Sequence, residues 1–266
     1  MNILRKTVLK GLKLTAFDIN IKHHFTKNKF RLNTYTHKGY WYYGSKREES
    51  TIRAFQKWIK PNDYVLEIGA HIGYFTTFFA DLVGKDGKVD VFEPSDANLK
   101  YLTQNIAFQD RELQTKISVI RKGAGDVNGT LDFYIDPITG QNNSFVENFE
   151  GFFVNREGSA ESNAVLTKVS ADVITLDSYF EGKTQFPDFV KIDVEGFEWN
   201  VIQGFKQTIE KHHPSLMIEI QKDAEDIINY FKQVGYLIYN DEMQEINNHN
   251  EYLKNNTPNI FFKFHN

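Results

Sequence analysis

From Tyr64 onward the chain alternates short apolar runs with segments of helical spacing. The runs are YVLEIG (64–69), KVDVFEP (88–94), KISVIRKG (116–123), FVKIDV (189–194), SLMIEIQ (215–221), YLIYND (236–241) and NIFFKFH (259–265). Such alternation is the mark of a parallel sheet joined by crossover helices, so the pattern predicts an α/β fold with seven strands. Helices are expected after the first, second, fourth and fifth runs. Only a polar stretch rich in Asn and Glu separates the last two runs, which therefore read as antiparallel to each other.

The alternation lapses twice. Between 124 and 188 one further strand is expected at LDFYID (131–136), and the polar stretch 137–168 reads as a loop-dominated insertion. Residues 1–47 read as an N-terminal extension ahead of the domain at 48–266. It opens with a helix in which Leu4, Val8 and Leu12 recur among Arg5, Lys6, Lys10 and Lys13. Three settings suit that helix: an anionic membrane surface, the face of the domain, or a second copy of the chain. Strand-like pieces are expected around Tyr35–Tyr43. Thr51–Lys60 reads as a helix with Ile52, Phe55 and Ile59 inward, stopped by Pro61-Asn62-Asp63.

Composition narrows the class without choosing a function. Hydrophobic residues make up 41% and charged residues 25% of the 266, as in an ordinary globular protein. The absence of cysteine excludes disulfides, thiolate nucleophiles and cysteine-ligated zinc, and fits a cytoplasmic enzyme. The net charge of −4 disfavours a nucleic acid partner, though a local basic patch stays open. No apolar run approaches the ~20 residues that span a bilayer. The opening MNILRKTVLKGLKLTAF starts like a signal peptide, but Lys10 and Lys13 interrupt it and no small-residue cleavage site follows. His23-His24 and His212-His213 read as exposed pairs rather than zinc ligands.

The most informative local pattern is VLEIGAHIGYFTTFFADLV (65–83). A strand ends at Glu67, turns through Gly69, Ala70 and His71, and enters a helix at Gly73. Gly69 permits a tight turn, Gly73 a close approach at the helix start, and free amides there suit a carboxylate. Thr76 in the first turn adds a hydroxyl. The second strand ends at Glu93-Pro94, where an acid in a Rossmann-like unit reaches both hydroxyls of a ribose. A dinucleotide requires a middle glycine that G-A-H-I-G lacks, and Glu67 would repel a pyrophosphate while suiting the amino group of a methionine moiety. The pattern therefore favours S-adenosylmethionine over NAD, and the missing Walker motif disfavours ATP hydrolysis. At the third strand's end, Ala124 and Asp126 stand where adenine is expected. Asp126 is either an acceptor for its amino group or an ordinary turn residue.

A second block, FVKIDVEGFEWNVIQGF (189–205), gathers Lys191, Asp193, Glu195 and Glu198. Strand alternation would put 191, 193 and 195 on one side, at the sheet edge where ligands bind. Methyl transfer to a hydroxyl needs in-line alignment and a route for the proton. Asp193 is the first candidate to accept it and Glu195 the second, with Lys191 in support. The competing structural reading pairs Lys191 with Glu198 and makes Glu195-Gly196 a helix cap. Asp193, Glu195 and Glu219 together raise Mg²⁺ as a minority option. Gln141-Asn142-Asn143-Ser144 reads as part of a substrate lid.

With these blocks in view, the chain resembles the FkbM-type methyltransferases from about residue 48 to the end. The matching stretches are LEIGAHIGYFT (66–76), VFEPSDANLKYLTQNI (91–106), ITLDSYF (174–180), FVKIDVEGFEWNVIQGF (189–205) and PSLMIEI (214–220). The resemblance implies a Rossmann-like class I methyltransferase fold with an antiparallel last strand. It implies O-methylation of a hydroxyl on a sugar, glycan or secondary metabolite. The family's first motif usually reads D-x-G-A-N-x-G, whereas Glu67 and His71 stand at its Asp and Asn positions here. Methylation of RNA or protein, and a non-catalytic scaffold that keeps the fold, are the alternatives.

Overall fold

The protein is described by a computed structural model covering residues 3–159, 161, 163–254 and 258–265, without the side chains of 3–6, 155 and 158. Helix α1 (Ile3–Leu14) leads into a hairpin of β1 (Asp18–Lys22) and β2 (Lys29–Asn33). Helix α2 (Lys38–Tyr43), a 3-10 turn (Gly44–Glu48) and α3 (Glu49–Trp58) follow. The central unit runs β3 (Tyr64–Ile68), α4 (Tyr74–Val83), β4 (Lys88–Phe92), α5 (Asp96–Ala107), α6 (Arg111–Gln114) and β5 (Ile117–Ile120). Next come β6 (Gly123–Ala124), β7 (Gly129–Ile135), α7 (Glu150–Gly158), β8 (Thr167–Ile174) and α8 (Leu176–Phe180). The chain continues through β9 (Phe189–Ile192), α9 (Glu198–Gln203), α10 (Lys206–His212), β10 (Ser215–Glu219) and α11 (Ala224–Gln233). It closes with β11 (Tyr236–Tyr239), α12 (His249–Tyr252) and β12 (Asn259–Phe264).

Seven strands form the main sheet in the order β11-β12-β10-β9-β3-β4-β5. β12 runs antiparallel to both β10 and β11, while the β10, β9, β3, β4 and β5 pairings are parallel. This is the predicted α/β architecture with its inserted antiparallel last strand. The strand period of two divides the interior into two layers. Leu66, Ile68, Val190, Ile192, Leu216 and Ile218 face α8 to α11, whereas Val65, Val89, Val91, Phe189, Met217 and Phe261 face α3 to α5.

A third apolar cluster joins Phe30, Leu32 and Tyr40 to Ile72 and Tyr74, so the hairpin and α2 pack on the glycine turn. Asn105 fastens them together: its Oδ1 accepts from the Arg31 amide at 2.6 Å, and its Nδ2 donates to the Ile72 carbonyl at 2.8 Å.

The departures from expectation all lie outside the seven runs. The segment around Tyr35–Tyr43 is turn and helix rather than strand, because β1 and β2 pair with each other and Trp41 Nε1 ties the helix to the Thr34 carbonyl at 2.9 Å. Segment 124–188 is more regular than a loop: β7 and β8 form a seven-pair ladder, β6 adds to β8, and α7 occupies 150–158. Leu4, Arg5 and Lys6 have side chains outside the described residues. Beyond them Val8 and Leu14 of α1 are exposed, and Lys13 pairs with Glu161 at 2.6 Å. His23 is buried, not exposed, with Nε2 3.0 Å from the Tyr74 carbonyl. His212 and His213 stack on Phe186 and Phe264. Among the described residues no helix is long and apolar enough to cross a membrane.

Candidate functional site

The C-terminal ends of β3, β4 and β9 open onto one cavity of about 440 Å³, a volume suited to a nucleotide-sized ligand. Gly69, Ala70 and His71 form one wall, Glu93, Pro94 and Asn98 the next, and Gly123 and Ala124 a third. Lys191, Asp193, Glu195 and Glu219 line the same cavity. Glu93 and Asp193 thus share a single space. That is the arrangement expected at the carboxyl edge of a parallel sheet.

Glu93 is buried and organises the turn. Its Oε2 accepts from the His71 amide at 2.8 Å, and its Oε1 accepts from the Ser95 amide at 2.9 Å and Asn98 Nδ2 at 3.3 Å. Burial pushes its carboxyl up to about 7, against the pull of those donors. His71 has φ of 50°, Nδ1 3.2 Å from the Tyr40 hydroxyl, and a ring stacked on that of Tyr40. Burial first, then His37 and Arg47, hold the imidazole well below its ordinary range. The imidazole is therefore neutral at physiological pH.

Glu67 and Thr76 do not line the cavity. Glu67 points into the layer between the sheet and α4, where Thr76 Oγ1 donates to its Oε2 at 2.5 Å. The parallel register sets Glu67 beside Lys191, and Lys191 Nζ lies 3.9 Å from Glu67 Oε1. Burial raises the Glu67 carboxyl to about 7. Gly73 also stays outside the lining. Its φ of 85° and the approach of Leu102, 2.6 Å from where a Cβ would stand, account for the glycine. Asp126 is exposed and accepts from Asn200 Nδ2 at 3.1 Å, away from the cavity, while Ala124 lines it.

β9 stops at Ile192, so strand alternation does not extend to Glu195, whose φ of 56° puts it in a left-handed turn. Asp193 and Glu195 nonetheless both face the cavity. Lys191 is buried, donating to Asp193 Oδ2 at 3.0 Å and the Gly69 carbonyl at 3.2 Å. Burial alone would lower the Lys191 ammonium, but Asp193 and Glu67 carry it above its ordinary range. The pairing of Lys191 with Glu198 is therefore replaced by pairings with Asp193 and Glu67. Glu198 turns inward and accepts from the Gly196 amide at 2.9 Å.

Glu195 is pushed well above the usual carboxylate range by burial and then by Asp193. Glu219 is raised as strongly, first by the Asp193 charge and then by burial. Among the described residues no group of three His, Asp or Glu side chains is arranged to hold a metal ion.

Segment 139–151 covers the cavity from the side. Gln141, Asn142 and Asn143 line it, whereas Ser144 is buried beneath and donates to the Glu195 carbonyl at 2.7 Å. The Gly140 carbonyl accepts from Asn98 Nδ2 at 3.3 Å, so the segment is tied to both ends of the space. Asn143 Nδ2 is buried without a hydrogen-bond partner, a donor left for a ligand. Sequence reasoning missed Asn98, Tyr40, Arg47 and Glu48, all of which line the cavity. The one readable sign of Asn98 was an amide beside Leu99 on the apolar face of α5.

Fold and site together define a Rossmann-like α/β protein of the methyltransferase class. The profile of the Methyltransferase FkbM domain matches residues 67–238, more than half of the chain, and the protein belongs to that family. The Hexuronic acid methyltransferase AglP of Haloferax volcanii is 25% identical over 163 residues, 61% of this chain and 58% of that protein. The chain is also similar to a crystal structure of methyltransferase FkbM from Methylobacillus flagellatus KT, with TM-score 0.46 and 18% identity over 77% of this chain and 44% of that one. A SAM-dependent O-methyltransferase from Thermotoga maritima gives TM-score 0.43 and 11% identity, over 82% of this chain and 66% of that one. The chain therefore spans just over half of the curated relative and less than half of the Methylobacillus chain.

Proposed function

We propose that the protein is an S-adenosylmethionine-dependent O-methyltransferase acting on a hydroxyl of a sugar, glycan or secondary metabolite. The observation that carries this reading is the shared cavity of Glu93 and Asp193. Bare backbone is required at Gly69, where a Cβ would stand 1.9 Å from the Asp193 carbonyl oxygen, and this close approach sets the glycine turn beside Asp193 on the cavity wall. Glu93 is suited to a ribose because a carboxylate accepts from two adjacent hydroxyls. Asn143 Nδ2 supplies an uncommitted donor. When bound, S-adenosylmethionine supplies an electrophilic methyl group.

The protein's own part in the reaction is positioning and proton handling. Asp193, held by Lys191 at 3.0 Å, is placed to accept the proton of the acceptor hydroxyl. The Lys191 ammonium holds that carboxylate in place. Glu195 and Glu219, with raised affinities for protons, line the cavity with Asp193 as further proton-holding groups. The printed name of the Haloferax relative agrees with a sugar as the class of acceptor.

Calorimetry with S-adenosylhomocysteine and with NAD tests the cofactor reading. Saturable binding of the first and none of the second is expected. Binding of NAD alone, or of neither, overturns it.

A further inference from the structure

The cavity has a wall that the family profile does not reach. Tyr40, Arg47 and Glu48 line it, yet all three precede residue 67. Arg47 is held from several sides. Its guanidinium lies over the Tyr40 ring, 4.7 Å from the centroid, and its Nη1 fills the space that Gly39 leaves by lacking a Cβ. Its Nε donates to Glu48 Oε1 at 3.2 Å. This contact uses one of the guanidinium's five N–H groups and one of two carboxylate oxygens. With side chains 25% and 22% exposed, both residues remain open to a ligand.

Across the space stand Asp193, Glu195 and Glu219. Glu48 is close enough to Asp193 for their charges to oppose each other, and Arg47 is close enough to Glu219 to be stabilised by it. Arg47 and Lys191 are each already paired with a carboxylate, Glu48 at 3.2 Å and Asp193 at 3.0 Å, which disfavours an incoming anion at this wall, and the carboxyl oxygens around them offer acceptors to hydroxyl donors. An adjacent guanidinium and carboxylate, one donating and one accepting, match two neighbouring hydroxyls. Beyond Tyr40 the same helix carries Trp41, Tyr42 and Tyr43, which are 39%, 71% and 58% exposed. Three consecutive exposed aromatic rings are a patch that calls for a partner, and flat apolar faces suit the C–H face of a sugar ring.

We propose that Arg47 and Glu48 form the acceptor-binding pair and that they take vicinal hydroxyls of a neutral sugar unit. The inference rests on the methyltransferase reading above and narrows its substrate class. Segment 38–48 is then the specificity element, supplied by residues that precede the stretch the family profile matches. Trp41, Tyr42 and Tyr43 extend the binding surface for the aglycone or next sugar.

The test uses the full chain saturated with S-adenosylhomocysteine and four probes: the 4-nitrophenyl β-D-glucoside, β-D-galactoside, α-D-mannoside and β-D-glucuronide. Saturation-transfer NMR gives their dissociation constants. At least one neutral hexoside is expected to bind more tightly than the glucuronide. Glu48→Gln and Arg47→Met are each expected to weaken it tenfold or more, leaving affinity for S-adenosylhomocysteine within twofold. Arg47→Lys guards against a folding defect and is expected to recover part of the loss. Preference for the glucuronide, binding unaffected by either variant, or no hexoside binding to a loaded protein overturns the inference alone. A protein that fails to bind S-adenosylhomocysteine overturns the cofactor reading and this one with it.

Discussion

Gly69 and Asp193 meet backbone to backbone at the centre of the cavity wall. A Cβ at Gly69 would stand 1.9 Å from the Asp193 carbonyl oxygen, and the Asp193 amide donates to the Ile68 carbonyl at 3.0 Å. Through this contact the glycine turn fixes where the candidate proton acceptor stands. Gly69→Ala brings two penalties, the clash and a φ of 85°, the second of which alone costs about 1–2 kcal/mol. A folded but less stable protein with at least tenfold weaker affinity for S-adenosylhomocysteine is expected. A melting curve and a calorimetric titration check this, and wild-type values in both would refute the contact's importance.

Asp193→Asn separates chemistry from binding. The amide keeps the shape, loses the proton-accepting capacity and leaves Lys191 with Glu67 as its remaining acidic partner. Methyl transfer is expected to fall roughly 10²–10⁴-fold, the usual worth of a positioned base. Affinity for S-adenosylhomocysteine should change by less than threefold. A fall in binding that accounts for the whole loss of turnover would move Asp193 from proton transfer to cofactor binding.

The parts of this molecule that were legible in its sequence are those where burial imposes a period. All seven sheet strands appear as apolar runs; β3, β4, β9, β10 and β12 are covered on both faces, the edge strands β5 and β11 only in part, and the polar link before Asn259 revealed the antiparallel insertion. β8 escaped notice because its first four residues are exposed and Val173 is its single buried residue, so no alternation marks it. Its strand geometry comes from pairing with β7. Glu93 and Asp193 were readable because each directly follows a strand. Arg47 and Glu48 were not, since what makes them part of the cavity is the packing of Phe30, Leu32 and Tyr40 on Ile72 and Tyr74. Glu67 was misplaced for a related reason: its register partner Lys191 draws it behind the wall.

The proposed contact of Glu93 with a ribose predicts a cofactor affinity that depends on pH. Its carboxyl titrates at about 7 in the folded protein, and ribose hydroxyls donate to the ionised form. Raising the pH removes a proton that competes with the ligand, so affinity should rise through pH 7 and level off above it. At pH 5.5 the deficit should approach roughly 30-fold, the factor set by 1.5 units of protonation. Glu93→Gln should bind weakly at every pH and show no such slope. Titrations from pH 5.5 to 8.5 check this, and an affinity that falls as pH rises would contradict it.

Glu198 bears on stability with the opposite sign from a salt-bridged acid. It is fully buried, Oε1 accepts from the Gly196 amide, and Oε2 has no hydrogen-bond partner. Burial raises its carboxyl from 4.5 to about 7. An acid with a raised folded-state value favours the folded protein below the unfolded value, and that contribution is lost as pH rises through the folded value. Ionising Glu198 between pH 4.5 and 7 therefore costs the fold up to roughly 3 kcal/mol, at about 1.4 kcal/mol per unit. Glu67 and Glu93, also raised to about 7, act in the same direction. The melting temperature should accordingly decline between pH 5.5 and 8, and Glu198→Gln should flatten part of that decline because its amide does not ionise. The variant should be the less stable protein at pH 5.5, where an amide N–H₂ replaces a protonated carboxyl, and should close the gap by pH 8. Parallel melting curves of the two proteins, with a constant offset at every pH, would show that Glu198 does not titrate in this window.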